Sequence, residues 1–444
     1  MIFKGLPLFL YLSEINFLRS NINSIFLTPI LQEKRNTFIR IGLAVGHGIF
    51  LIVVTLIYLS ITFTLDDEII LIQLTAAVKN KLLGQKERPD TERLLLVNVS
   101  WDKKLIPRTD SSGFVIGNQA ITNRASIAKL LQAMNQKPDN HELLLIDVNF
   151  LDPSPEDSLL EAELGKIKNC IVSYHKDAKG KPVYPIIDAP LGLSDMMVDD
   201  EERDLVLKYH LIQGDSLKTT PLLMYEKIHN SKYEEGLLYD KLGGELIFNS
   251  FILDYPVDKF DIFNRNMYNY QYINEMVMLP PAFIHAMTKD KIVIVGDFED
   301  RDIHNTIYGK TPGPLILLNA FLALERGDNQ VSFAFIFVLL IAYSLISYKA
   351  ITVNDPITVW VKKKFKNYNF IVEFTVDVTF YLIYFGIISI ITYYSFGIHL
   401  TILFLSFYMH FLEVGIVTLD EQKREKAAKK QIAAENELKG EKSG

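Results

Sequence analysis

Four stretches of this chain are long and apolar enough to cross a lipid bilayer, and they restrict its fold more than any other feature. They cover residues 38–63, 331–347, 370–394 and 396–419. A spanning helix needs roughly 20 mostly apolar residues. The first stretch is not a cleavable signal peptide, because it begins far from Met1, is too long and lacks an Ala-x-Ala-like ending. The sequence therefore predicts one transmembrane helix before a polar region and three after it.

The distribution of Lys and Arg predicts how these helices are oriented, because cytoplasmic loops collect positive charge. Basic residues cluster in the arm 1–37, in the loop 348–369 and in the tail 420–444, whereas acidic residues follow the first span. The basic residues that decide the orientation are Lys34, Arg35, Arg40, Lys349, Lys362, Lys363, Lys364, Lys366, Lys423, Arg424, Lys426, Lys429 and Lys430. Both termini are therefore expected in the cytoplasm, and residues 65–330 outside it.

Composition excludes some classes of protein. The net charge of −7 and the lack of a basic stripe with interleaved aromatic residues argue against nucleic-acid binding. Cys170 is the only cysteine, so an intrachain disulfide is impossible. It lies in an apolar run that predicts a buried strand, where a thiol behaves as a small hydrophobic group.

The outside region alternates apolar strands with helices. The strands are predicted at 94–99, 143–148, 171–174 and 291–297, and the helices at 127–134, 155–167 and 313–326. Thr122 or Asn123 is the expected N-cap of the first of these helices. Strands that are apolar at every position, separated by helices, indicate a parallel sheet covered on both faces. The fold class is thus α/β, a mostly parallel sheet with flanking helices, plus four transmembrane α-helices.

Residues 65–330 resemble the type-2 CHASE domain, an extracytoplasmic sensory module of bacterial signalling proteins. The resemblance lies in Leu94–Trp101-Asp102, in Asp147-Val148-Asn149-Phe150 followed by Asp152-Pro153 and Glu156-Asp157, and in Lys291–Asp297 followed by Gly309-x-x-Pro312-Gly313 and Asn319-Ala320. The trailing helices also match the usual layout of that family. The resemblance implies a multi-pass protein of the bacterial cytoplasmic (inner) membrane, surrounded by lipid, whose outside domain receives a signal.

Family members usually continue into a cytoplasmic output domain. Here the fourth span is followed by residues 420–444, a Glu/Lys/Ala-rich stretch typical of a solvated helix, without a kinase, cyclase or phosphatase signature. We therefore expect no enzymatic activity and no cofactor. Any signal is expected to pass to a membrane or cytoplasmic protein partner that the sequence does not identify.

Acidic residues follow the predicted strands at their carboxyl ends, where parallel α/β sheets bind ligands. Asp102, Asp152, Asp302 and His304 are the candidate ligand-binding residues. A cation site of Asp102, Asp302 and His304 is conceivable, but their spacing matches no metal motif, so no metal is predicted. The alternative is that these side chains cap helices and hold loops by hydrogen bonds.

A second group of ionisable residues lies within the predicted spans. It consists of His47, Glu373, Asp377, His410 and Glu413, all expected in the cytoplasmic half of the bilayer. Charged groups at the middle of a spanning helix cost about 2.5–3.5 kcal/mol on insertion scales. The group predicts either a proton- or ion-sensitive switch, or a docking site for a partner helix, or polar contacts that hold the helices together.

Gly42 and Gly46 form a Gly-x-x-x-Gly pair in the first span. Such pairs permit close approach of two helices, here either within the bundle or in a homodimer. Three functions remain open on the sequence alone: a sensor or receptor subunit, a non-catalytic scaffold that anchors a larger envelope complex, and a small ion-conducting protein.

Overall fold

The computed structural model describes residues 37–60, 66–78, 89–109, 111–198, 205–214, 216–236, 239–254, 256–264, 267–352 and 370–441. Its helices are α1 (Thr37–Leu59), α2 (Asp66–Val78), α3 (Arg124–Met134), α4 (Asp157–Leu164), α5 (Thr220–Ile228), α6 (Lys259–Ile262), α7 (Ile273–Met276), α8 (Pro281–Thr288), α9 (Gly313–Arg326), α10 (Phe333–Ile351), α11 (Phe370–Phe396) and α12 (Ile402–Glu441).

The strands are β1 (Leu94–Asn98), β2 (Lys103–Thr109), β3 (Val115–Thr122), β4 (Leu143–Asp147), β5 (Cys170–Lys176), β6 (Pro182–Val183), β7 (Leu191–Leu193), β8 (Leu205–Val206), β9 (Lys208–His210), β10 (Ile212–Gln213), β11 (Leu217–Lys218), β12 (Tyr233–Glu234), β13 (Asp240–Leu242), β14 (Glu245–Ile247), β15 (Ser250–Ile252), β16 (Asn269–Tyr272), β17 (Ile292–Gly296), β18 (Ile303–Thr306) and β19 (Gly309–Pro312). The predicted arm up to Asn36 and most of the loop 348–369 lie outside the described residues.

The chain divides into two compact units. One, called the membrane unit below, contains α1 as far as Leu56, Phe333–Ser389 and the chain from Leu400. The other, called the α/β unit, contains Ile57–Ser332 and Ile390–His399. The α/β unit therefore includes the short connection between α11 and α12 as well as the long region between α1 and α10.

A parallel sheet organises the α/β unit. Its strand order is β16-β1-β17-β4-β5, with β7 parallel to β5 and β6 added antiparallel at the same side. Register is regular across the centre: Leu94 pairs with Ile292, and Ile292 pairs with Leu143. The predicted parallel sheet is confirmed.

The uninterrupted apolar strands are explained by burial of both sheet faces. Leu94 and Leu96 pack into one hydrophobic cluster with α5 and α9, whereas Leu95 and Val97 pack into another with α3, α4, α7 and α8. Successive side chains of a strand point to opposite faces, so Leu94 to Val97 of β1 are all apolar, and the strand ends at the polar Asn98. Cys170 is buried in the second cluster, as predicted.

Helix α3 begins where its N-cap residue predicts. Asn123 has extended backbone angles, and its side chain accepts a hydrogen bond from the backbone N–H of Ala125 at 3.2 Å. This bond satisfies a donor that the first turn of a helix leaves unpaired. The alternative N-cap, Thr122, instead ends strand β3.

The membrane unit consists of long apolar helices. Four helices of the described chain are long and apolar enough to cross a membrane: Phe38–Leu59, Phe333–Ile351, Phe374–Phe396 and Ile402–Lys430. One precedes the sheet domain and three follow it, which confirms the predicted arrangement. Helix α12 continues past its apolar part to Glu441.

Candidate functional site

The carboxyl ends of three central strands lie side by side. Asn98 at the end of β1 pairs with Gly296 at the end of β17, and Gly296 pairs with Asp147 at the end of β4. Asp297 follows β17 directly. Since parallel strands all end at one edge of the sheet, two carboxylates and an amide lie at this edge.

An open cleft of about 350 Å³ lies at this edge. It is lined by Val99, Lys103, Gln119, Ala120, Ile121, Thr122, Asp147, Val148, Asn149, Asp152, His175, Asp297, Arg301 and Asp302. The β2–β3 hairpin supplies Lys103 and residues 119–122 of this lining. The loops after β4 and β17 supply most of the other lining residues. This size is at the lower end for small-molecule sites, and the position is where open parallel sheets bind ligands.

Asp147 is the most buried carboxylate of the cleft, with 7% of its surface exposed. Burial raises its pKa to about 6, the nearby carboxylate of Asp302 adds to the rise, and hydrogen bonding with Ser173 opposes it. Ser173 in turn accepts a hydrogen bond from the Ser194 hydroxyl at 2.6 Å. Asp147 therefore changes its charge in the mildly acidic range.

Asp297 is nearly as buried but behaves in the opposite way. Burial opposes its ionisation, yet hydrogen bonds from the Ser100 hydroxyl and from the backbone N–H groups of Asp300 and Glu299 lower its pKa overall. Lys103 Nζ lies 3.5 Å from Oδ2. The ionised carboxylate thus orders the loop that follows β17, because its oxygens accept hydrogen bonds from the backbone N–H groups of that loop.

His175 lies on the side of the cleft formed by β5. Its Nδ1 is 2.9 Å from the Asp195 carboxylate, whose other oxygen accepts the backbone N–H of Lys176 at 2.6 Å. Burial lowers the pKa of His175, but the bond to Asp195 and the charge of Asp147 outweigh it, so the net shift is upward. His175 and Asp147 therefore both titrate close to the cleft.

The four sequence-predicted ligand residues occupy different positions. Asp152 and Asp302 line the cleft, and Asp152 accepts a 2.6 Å hydrogen bond from the Gln119 amide. His304 lies on β18 with Nε2 2.9 Å from Asp302 Oδ1. Asp102 accepts hydrogen bonds from the backbone and side chain of Asn123, and so supports the start of α3. Their role in ligand binding stays a prediction.

Within the described part of the chain, no group of three or more His, Cys, Asp or Glu side chains is placed to hold a metal ion. The conceivable site of Asp102, Asp302 and His304 therefore brings together only Asp302 and His304. Asp102 forms its hydrogen bonds with Asn123 instead.

The sequence reasoning did not select Asp147, His175, Lys103 and Arg301 as ligand-binding candidates. One signal was present for Asp147: it ends an otherwise apolar strand, at the edge where ligands bind. Asp195, the partner of His175, carried no such signal, because β5 and β7 had to pair before it could reach the histidine.

Two glycines fix the geometry beside the cleft. A Cβ at Gly313 would lie 2.1 Å from Asp302 Oδ2, and a Cβ at Gly296 would lie 2.4 Å from Pro314 Cγ. Only glycine permits these approaches without movement of the neighbouring atoms. The motif Gly309-x-x-Pro312-Gly313 therefore positions Asp302 at the start of α9.

The sequence-predicted intramembrane residues whose side chains the structure describes fall into three separate groups. His47 contacts the Ser347 hydroxyl at 2.7 Å and the Tyr408 hydroxyl at 2.9 Å. His410 Nδ1 is 3.9 Å from Asp377 Oδ2. The Glu373 side chain lies outside the described residues.

Glu413 belongs to the third group. It forms an ion pair with Lys349 at 2.9 Å and accepts a hydrogen bond from the Tyr381 hydroxyl. Lys349 was assigned to the cytoplasmic loop by its charge, but it lies in the last turn of α10. These contacts tie α10, α11 and α12 together.

The Gly-x-x-x-Gly pair is not used for packing within the described chain. No heavy atom lies within 4 Å of the position that a Cβ would occupy at Gly42 or Gly46. Gly48 is different, since a Cβ there would lie 2.9 Å from Ser344 Oγ. Gly48 is thus the glycine at which α1 and α10 approach closely.

Fold and site together define a class: a multi-pass membrane protein whose intervening α/β domain carries a ligand-sized cleft at the carboxyl edge of a parallel sheet. The model of the CHASE2 domain matches residues 49–346, and the chain belongs to this family of sensor domains. Comparisons with curated proteins and with solved structures find no match.

Proposed function

We propose that this protein is a receptor of the bacterial cytoplasmic membrane. Its α/β domain lies outside the cytoplasm, binds a small molecule, and changes the helix bundle, which passes the signal to a separate partner protein without catalysis. The observation that carries this proposal is the cleft. It has the size and position of a ligand site, and it holds the buried carboxylate of Asp147, whose pKa is raised to about 6.

The start of the α/β unit offers a route for the signal. Helix α2 follows α1 along the chain, and its Glu68 forms a 2.6 Å ion pair with Lys208 of β9. Both side chains are buried, at 2% and 8% exposure. A change in the position of β9 therefore acts directly on the segment that leads out of the first span.

A second contact of α2 involves the connection between α11 and α12. The Thr75 hydroxyl lies 2.9 Å from His399 Nε2, and the ring of His399 stacks on Tyr393 at 4.4 Å. Burial lowers the pKa of His399 to about 3, so the imidazole is neutral at physiological pH. Helix α2 is thus fixed within the α/β unit near both of its ends, through Glu68 and through Thr75.

The alternative is a non-catalytic scaffold that anchors an envelope complex. One observation favours it: two pairs of ionisable groups lie within the described membrane unit, Lys349–Glu413 at 2.9 Å and His410–Asp377 at 3.9 Å. Groups satisfied in this way stabilise a fixed bundle. An ion-conducting role gains no such support from the contacts.

Co-purification from native membranes distinguishes receptor from scaffold. Tagged wild-type protein is compared with Asp147→Asn, which alters the cleft, and with Asp139→Asn, which alters an exposed carboxylate of the same unit. A receptor predicts that Asp147→Asn changes the recovery of a specific partner while Asp139→Asn does not. Equal recovery with all three proteins favours the scaffold, and no partner with any of them rules out both.

A further inference from the structure

The charged groups that line the cleft are unequally neutralised. Lys103 lies beside Asp297, and the guanidinium of Arg301 lies 3.5 Å from Asp300, outside the lining. His175 is bound to Asp195. No Lys, Arg or His nitrogen of the described chain lies within 4.0 Å of the Asp147 carboxylate. The cleft therefore holds one deeply buried carboxylate that has hydroxyl partners but no direct ion pair, and the charge of His175 acts on it only from beyond 4.0 Å.

A buried carboxylate without a direct ion pair is unfavourable, because its charge has lost most of its hydration. The response of Asp147 is a pKa raised to about 6, to which the charge of Asp302 contributes. Asp302 itself has 34% of its side chain exposed and contacts His304 with one oxygen only. A cation that enters the cleft would meet both carboxylates and would restore the ionised form of Asp147.

We propose that the cleft binds a small organic molecule through a protonated primary amine, which pairs with Asp147 and Asp302. This inference rests on the proposed receptor function and names its ligand class. An ammonium group donates three hydrogen bonds and suits two carboxylates approached from solvent. The amides of Gln119 and Asn149 in the same lining can bind polar atoms of the remainder.

An organic cation fits better than a metal ion. The described residues offer no third carboxylate or imidazole placed with Asp147 and Asp302 to complete a coordination shell. Divalent cations in proteins require six or more oxygen ligands or a fixed geometry. An amine needs only acceptors on one side, which the cleft has.

The test uses purified full-length protein in detergent at constant ionic strength. The probes are 1,4-diaminobutane, the neutral analogue 1,4-butanediol, and acetate. At pH 7.5 we expect 1,4-diaminobutane to raise the thermal unfolding midpoint in a saturable way, and the other two to leave it unchanged. The effect should disappear below about pH 5, because Asp147 is then protonated.

Two variants assign the effect to the cleft. Asp147→Asn should lower the affinity for 1,4-diaminobutane at least about tenfold, as loss of a buried charge partner does. Asp302→Asn should also weaken binding of 1,4-diaminobutane. This variant provides the test of the cleft if Asp147→Asn does not fold. Asp139→Asn, with an exposed carboxylate, should bind as wild type.

Three outcomes overturn the inference: no shift with 1,4-diaminobutane, an equal shift with 1,4-butanediol, or unchanged binding by both cleft variants. A shift with acetate alone would show that the cleft binds anions through Lys103, which overturns the ligand class but retains the receptor. Failure of the receptor function would instead be seen as unchanged partner recovery in the co-purification.

Discussion

Individual residues at the cleft are held by close contacts that a single atom can disturb. Gly313 lies against the Asp302 carboxylate. Asp147 forms hydrogen bonds with Ser173 and Ser194 and interacts with the charge of His175. In such packed surroundings, an added methyl group or a lost charge changes the stability of the fold directly.

Gly313→Ala should destabilise the protein by about 1–3 kcal/mol, because the new Cβ would lie 2.1 Å from Asp302 Oδ2 and must displace it. The readout is the thermal unfolding midpoint of the solubilised protein. Gly165→Ala is the matched control, since its Cβ would meet ordinary contacts at 3.6 Å and its φ is −66°. Equal midpoints for the two variants would contradict the proposed steric role.

Asp147 should make the protein less stable as pH rises. Its pKa is about 6 in the folded state and 3.8 as a reference, so the folded state holds the proton more tightly. Stability is therefore highest below pH 3.8 with respect to this group, and is lost as pH rises through 6. The loss is roughly 3 kcal/mol at 1.36 kcal/mol per pKa unit.

Asp147→Asn removes this titration. We expect the unfolding midpoint of the variant to exceed that of wild type at pH 7.5, and the difference to shrink toward zero near pH 4. The measurement is a series of melting curves between pH 4 and pH 8. A constant difference across that range would show that Asp147 does not titrate as described.

Between elements, the most consequential contact is the buried ion pair of α2 and β9. Removing one partner of such a pair leaves an uncompensated charge in the interior. Replacing both partners with apolar residues leaves no buried charge. Lys208 and Glu68 have little access to water, at 8% and 2% exposure. The attachment of α2 to the domain therefore depends on both partners together.

Glu68→Ala should lower stability by about 3–5 kcal/mol, and the double variant Glu68→Leu/Lys208→Met should recover most of that loss. Melting curves of the three proteins provide the test. Lys168→Ala is the control, since Lys168 and Asp139 form an exposed pair that contributes at most about 1 kcal/mol. Similar losses for Glu68→Ala and Lys168→Ala would refute the special role of the buried pair.

For the whole molecule, the sequence predicts orientation through the lysines between α10 and α11. A topology reporter fused after Tyr368 should be active on the cytoplasmic side. Replacing Lys362, Lys363, Lys364 and Lys366 by Gln should reduce that activity, because the charge bias is lost. A reporter that is external in the wild-type fusion would reverse the proposed orientation.

Much of the fold could be predicted from the amino-acid sequence. The lengths of the apolar stretches set the four spanning helices, because a bilayer of fixed thickness requires them. The apolar runs at 94–99, 143–148 and 291–297 predicted central parallel strands, because both faces of such a sheet are buried. Local chemistry alone restricted the N-cap of α3 to Thr122 or Asn123, of which the structure uses Asn123, and predicted α9 at Gly313–Arg326.

The cleft was only partly accessible to such reasoning. Asp152 and Asp302 were selected because they follow strands, and both line the cleft. His175 and Asp195 are 20 residues apart and meet only because β5 and β7 pair. Likewise, Glu413 was expected with the other intramembrane acids, but its partner is Lys349, 64 residues away on another helix.

The sequence by itself determined which segments are long and apolar enough to cross a membrane, where the central strands and helices α3, α4 and α9 lie, and which edge of the sheet is polar. These properties depend on hydrophobicity and local backbone preferences, which act over a few neighbouring residues. Only the tertiary structure decided which carboxylates are neutralised and which are not. Charge pairing depends on distances between residues remote in sequence. The pairing of Lys103 with Asp297, and the lack of a direct ion pair at Asp147, therefore became visible only in the tertiary structure.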